Sequence, residues 1–84
     1  MGYKVEKGVA AREINGTFYI VLPDAMKLIK LNRTGSLIFG LICNNTAGKV
    51  IEKKLSARYG ISYKKAKKDL SGFIKELKKS KIIH

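Results

Sequence analysis

Met26-Lys27-Leu28-Ile29-Lys30-Leu31-Asn32-Arg33-Thr34-Gly35 reads as a strand that ends abruptly in a helix cap. The run to Leu31 contains no Pro or Gly, so a β ladder can use every one of its backbone groups. Asn32 then supplies a side chain suited to accept a free N–H from a helix's first turn. Upstream, Thr17 to Leu22 is β-branched and aromatic, as a strand demands. Asn15-Gly16 before it is the dipeptide of a two-residue hairpin turn, whose positions take positive φ. Val9 to Ile14 supplies the strand on the other side of that turn. Pro23-Asp24 breaks the second strand from the third. The expected sheet is a meander whose third strand, Met26 to Leu31, lies at an edge.

Downstream the period changes from strand to helix. Leu37, Ile38, Leu41 and Ile42 share one face of a helix that runs to about Cys43 and ends at Asn44-Asn45. Thr46 is the expected cap of a second helix, which buries Val50, Ile51 and Leu55. Gly60 closes it as a left-handed cap, with Ile61 folding back on the last turn. Ser62 caps a third helix with the stripe Ala66, Leu70, Phe73, Ile74 and Leu77. Lys78-Lys79 suit the negative end of its dipole. Ile82-Ile83 is an apolar tail placed to cover the core. The fold class is α+β, with a three-stranded antiparallel sheet followed by three helices. Tyr59-Gly60-Ile61 is short enough to make the last helix pair winged helix-turn-helix-like.

The chain of 84 residues is one small domain, with an ordered core expected over about residues 9–83. Its 45% hydrophobic content is spread along the length, as in a folded chain. A single Cys excludes an internal disulfide and fits a reducing, cytoplasmic setting. The first residues mix charge with Gly, unlike a secretory signal, and no apolar run is long enough to span a bilayer.

The formal charge of +12 is uneven. Residues 1–45 carry six basic and three acidic residues, whereas residues 46–84 carry twelve and three. An anionic partner is expected: an acidic peptide, an acidic protein face or nucleic acid. On the third helix, Lys67, Ser71 and Lys78 border the apolar stripe on one side, with Lys75 farther out; Asp69 and Glu76 border the other. An acidic peptide would prefer the basic side, where Ser71 leaves room for a backbone.

No pairing of His with Cys or carboxylate, and no Gly-rich phosphate loop, points to an enzyme. One Cys and a terminal His84 cannot build a metal site, and no cofactor is implied. Cys43, at the end of an apolar face, reads as a small core residue. Asn44-Asn45-Thr46 has the form of a glycosylation acceptor, but more simply ends one helix and caps the next. A rival function is DNA binding by the helix-turn-helix. Against it, Ser62 to Lys79 contains no Arg, Asn or Gln to read base edges, and Lys gives mostly phosphate attraction. A membrane-surface role would need the apolar stripe that the core requires.

These pieces together resemble the PqqD-like family, the peptide-recognition domains of ribosomal-peptide modification pathways. Leu31-Asn32-Arg33-Thr34-Gly35 is similar to the family's Leu-Asn-x-Thr-Gly. Val50-Ile51, Leu55 and Tyr59-Gly60-Ile61 match its second helix and exit. Asp69-Leu70, Phe73-Ile74 and Leu77 match Asp-Val-x-x-Phe-Leu-x-x-Leu. The likeness runs from about Val9 to Ile83. It departs at Asn44-Asn45, where the family often has Asp-Gly, and at Ser80-Lys81, where most members have a Gly. The resemblance implies that a precursor's leader peptide adds as a strand along Met26, Lys27, Leu28, Ile29, Lys30 and Leu31. Across the groove the expected contacts are Lys67, Ser71, Ile74, Lys75 and Lys78. It also implies a separate modifying enzyme, such as a radical-SAM maturase or a protease, as second partner.

Overall fold

The computed structural model describes residues 3–84. The strands are β1 (Ala10–Ile14), β2 (Thr17–Leu22) and β3 (Lys27–Lys30), with a 3-10 turn at Pro23–Ala25. The helices α1 (Arg33–Cys43), α2 (Gly48–Tyr59) and α3 (Tyr63–Lys79) follow. The sheet is antiparallel with order β1-β2-β3, so β1 and β3 are both edges. This is the α+β order read from the sequence, with β1 starting one residue later than Val9.

The hairpin closes through Asn15 and Gly16, at φ 51° and 82°, which pairs Ile14 with Thr17. On β2 the side chains alternate. Ile20 is fully buried, flanked on the same face by half-buried Phe18 and Leu22. Thr17, Tyr19 and Val21 take the other face, where Val21 is exposed. Phe18 meets Phe39 of α1 edge to face at 5.1 Å. The pair can approach because a Cβ on Gly40 would come within 3.2 Å of the Phe18 ring. Buried residues from β2 and all three helices join in one cluster, which the buried tail Ile82-Ile83 completes.

Helix ends follow the expected chemistry at three places. Asn32 Oδ1 accepts from Gly35 N–H at 2.7 Å, and Ser62 Oγ accepts from Lys65 N–H at 3.1 Å. Gly60 adopts the left-handed cap at φ 61°, ψ 31°. Thr46 does not cap α2: its N–H donates to Leu41 O, and Ala47 takes the cap position without a side-chain bond. Val50 is 42% exposed, and Ile51 and Leu55 are the buried residues of α2. Cys43 is exposed rather than core, because Asn44 ends the helix at once and nothing closes over it.

The amino-terminal segment has a partner that the sequence pattern left unassigned. Val5 bridges to Ile83, Lys4 and His84 exchange N–H to O bonds, and Glu6 N–H donates to Ile82 O at 2.8 Å. This two-stranded ribbon pins both ends of the described chain beside the carboxyl end of α3.

Candidate functional site

The phase of the β3 ladder decides what its edge offers. Leu31 N–H donates to Phe18 O at 2.9 Å, and Ile29 pairs with Ile20 and Lys27 with Leu22. In an antiparallel pair, alternate residues turn both backbone groups toward the neighbour and the residues between turn them away. Lys27, Ile29 and Leu31 therefore face β2, while Leu28 and Lys30 present N–H and C=O to the open side. The rung beyond Lys30 is spliced by a side chain. Phe18 N–H donates to Ser36 Oγ at 2.9 Å, and that hydroxyl lies 3.4 Å from Leu31 O. Ser36 is 2% exposed, so the first turn of α1 is tied to the sheet by a buried hydroxyl. The β3 edge is thus held rigid by its inner side and left unpaired on its outer side.

A wall stands beside this edge. α3 passes with Phe73 against Gly35, just beyond the end of β3: a Cβ on Gly35 would lie 3.1 Å from the Phe73 ring and 3.1 Å from Asn32 Oδ1. The glycine is needed there for close approach. At the other end of β3, Ser80 and Lys81 share a cleft of about 500 Å³ with Val9, Leu22 and Ala25. These two meeting points bracket β3, so α3 runs antiparallel to it. α3 itself packs on α2. A furrow of about 370 Å³ lies between the start of α1 and α3, lined by Asn32, Gly35, Ile38, Asp69, Gly72, Phe73 and Glu76 among others. A Cβ on Gly72 would meet nothing within 4 Å, which keeps this side of α3 low.

The expected contacts fall into two groups. Lys27, Leu28, Ile29 and Lys30 make up β3 itself, with Leu28 66% exposed. Met26 lies outside the strand, at φ 49° and 93% exposed, because the 3-10 turn delivers the chain in a left-handed conformation that a strand cannot continue. Leu31 points into the core, at 8% exposure, and its N–H and C=O are engaged by Phe18 and Ser36, so it offers nothing to the open edge. On α3, Ile74 is buried, while Lys67, Ser71, Lys75 and Lys78 are exposed. None of these five lines the furrow. Lys78 Nζ sits 5.9 Å from the centre of the Tyr3 ring, on the amino-terminal segment. The furrow is lined instead by the opposite, mixed side of α3, where Asp69 pairs with Lys65 at 3.5 Å. Sequence reasoning missed Gly35, Ser36 and Gly72 as parts of this site. The Asn32-x-x-Gly35 spacing was the available signal for Gly35; a lone Ser and a lone Gly carried none.

Nothing in this arrangement supplies a nucleophile. Partial burial pushes the Cys43 thiol up, away from the reactive thiolate. Among the described residues, no three His, Cys, Asp or Glu side chains gather to hold a metal ion, and no helix is long and apolar enough to cross a membrane.

The family model described as coenzyme PQQ synthesis protein D (PqqD) matches residues 19–83. No curated protein matches the chain. Two solved structures share its fold at TM-score 0.91. One, TbiB1 in complex with the TbiA(beta) leader peptide, is 18% identical and covers 96% of this chain and 94% of its own. The other, a lasso peptide synthetase B1 complexed with the leader peptide, is 13% identical and covers 100% and 99%.

Proposed function

The chain belongs to the PqqD family, and on that basis we propose that it is a non-catalytic leader-peptide receptor. It captures the leader of a ribosomally made precursor by strand addition to β3 and presents the precursor to a separate modifying enzyme, such as a radical-SAM maturase or a protease. The observation that carries this reading is the outward turn of the Leu28 and Lys30 backbone groups, with the α1–α3 furrow opening past the end of the strand at Asn32 and Gly35. Strand addition takes affinity from such unpaired groups and selectivity from side-chain pockets alongside. Two proteins of the same fold are described as holding leader peptides, which supports the reading. The net charge of +12 supports an acidic leader.

Mechanically, the domain has to hold an extended segment firmly enough for modification and loosely enough for release. Each added rung contributes roughly 1 kcal/mol net, since the free groups exchange water for the peptide. A few rungs plus one apolar side chain in the furrow, worth about 1.5–3 kcal/mol when fully buried, suffice for reversible capture.

The test is a titration of the chain with the leader peptide of the precursor it is proposed to serve. Leu28→Pro removes one outward N–H without breaking an internal rung. It is expected to lower affinity about tenfold or more, from the lost bond of roughly 1 kcal/mol and the bent strand. A folded Leu28→Pro protein that binds as tightly as the parent would rule out strand addition to β3.

A further inference from the structure

The pairing register determines more than the presence of an edge. It also arranges the side chains of the sheet in rows. Across the face turned away from the core, Ala10, Val21 and Leu28 lie side by side, and Arg12, Tyr19 and Lys30 form the next row. Val21 and Leu28 are 40% and 66% exposed, and Arg12 and Lys30 are exposed as well. One row is therefore apolar and the next is basic, and neither contains an acidic residue. A strand added to β3 extends both rows by one side chain each. Resting on the strand-addition reading above, we infer that these rows set the leader's sequence: an acidic residue opposite Lys30 and an aliphatic residue opposite Leu28, with Lys30 as the residue that selects the register.

The reason lies in cross-strand geometry. Leu28 and Lys30 are the residues whose backbone bonds the incoming strand, so their directly opposite partners project on the same outer face. A carboxylate opposite Lys30 would complete the row of Arg12, Tyr19 and Lys30, while a lysine there would face two cations along it. The leader residue between these two lies opposite Ile29 and projects to the inner side, where Ile29 is half-buried. An aliphatic side chain fits there. The residue opposite Lys27 turns inward too, beside an exposed ammonium, and is again acidic. Read antiparallel to β3, the four-residue pattern is acidic, aliphatic, aliphatic, acidic. A slip of two residues one way places a carboxylate against Leu28, and the other way an aliphatic side chain against Lys30, so the rows oppose either wrong register.

The experiment uses short synthetic peptides with the core Glu-Ile-Val-Glu and the isomeric core Ile-Glu-Glu-Val, which have the same composition and charge. Bulk attraction to a basic domain cannot separate them. The parent chain is expected to bind the first core about 3- to 10-fold more tightly, the scale of favourable against mismatched cross-strand pairs. Lys30→Glu, a change at an exposed side chain, should reverse the preference at one position only: it should favour Lys-Ile-Val-Glu over Glu-Ile-Val-Glu. Equal binding of the two isomers, no binding of either, or an unchanged preference in Lys30→Glu would each overturn the row code. These results are distinct from a failure of strand addition, which would appear as undiminished binding of the natural leader by Leu28→Pro.

Discussion

β1 and β3 close the same three-stranded sheet, yet only β3 has the surroundings of the proposed site. Both carry unpaired outward groups: Leu28 and Lys30 on β3 and, from the Ile14–Thr17 pairing at the hairpin, Ala11 and Glu13 on β1. Every residue of β1 is exposed, and on its inner face Glu13 borders an open cleft with α1 and α2 rather than packed core. β3 instead leads into buried Leu31 and the tied turn of Ser36, with Phe73 of α3 rising beside it. The charges differ in the same sense. If two copies paired through β1 in the allowed phase, Arg12 would face Arg12, or with a shift of two, Glu13 would face Glu13. Like charges directly opposite oppose such pairing, which protects an exposed edge against unwanted partners. In β3, self-pairing in the central phase sets Leu28 against Lys30 without a like-charge clash, and only a shift of two brings Lys30 against Lys30. An open edge is suited to be a receptor where a rigid inner side, a neighbouring wall and a more weakly guarded face coincide.

The most severe challenge to this contrast is a matched pair of prolines. Leu28→Pro should cost about tenfold or more in leader affinity, as the lost rung requires. Ala11→Pro removes an equivalent outward N–H from β1 and should leave affinity unchanged within about twofold, since edge strands tolerate Pro where the N–H faces solvent. Comparable losses from both would mean that the leader contacts the whole sheet, or that proline acts through general unfolding. Thermal melting of the two variants separates these explanations.

The wall can be perturbed next. Gly35→Ala places a methyl group 3.1 Å from the Phe73 ring and should destabilise the fold by about 1–3 kcal/mol, the scale of overpacking. Because the strain falls between α1 and α3, leader binding should weaken beyond what stability explains, measured at a temperature where the variant is fully folded. A fully folded Gly35→Ala chain with parental affinity would show that the wall is not part of the receptor.

The smallest effect concerns the lysines. Lys67→Glu with Lys78→Glu reverses charge on the side of α3 away from the furrow. At physiological salt, screening over about 8 Å limits their reach, so the association rate should fall by less than about threefold. A much larger drop in stopped-flow association would move the leader's path onto the Tyr3 side of α3. Lys30→Glu, by contrast, changes which peptide is preferred.

Much of the fold was legible because it rests on local chemistry. Asn15-Gly16 can only be a tight turn between two strand-like runs, and Asn32 and Ser62 cap because their side chains reach the next turn. The α3 stripe repeats at helical spacing, and Gly60 tolerates a positive φ. Thr46 misled for the same reason that Asn32 did not. Both are good caps, but the chain leaving α1 bonds Thr46 N–H to Leu41, and this fixes the start of α2 one residue later. The exposure of Val50 and Cys43 is likewise something periodicity does not register.

The elements, their order, the lack of an internal disulfide and the basic excess could all be read from the residues in line, since each depends on neighbours along the chain or on simple totals. Which side of α3 lines the furrow at the start of α1 emerged only once the chain was packed in three dimensions. Charge alone does not set it. Packing put Phe73, Gly72 and Glu76 there, with Lys68, because an aromatic ring against a glycine and a buried stripe against α2 orient a helix more strongly than solvated charges, which are nearly indifferent to where they point.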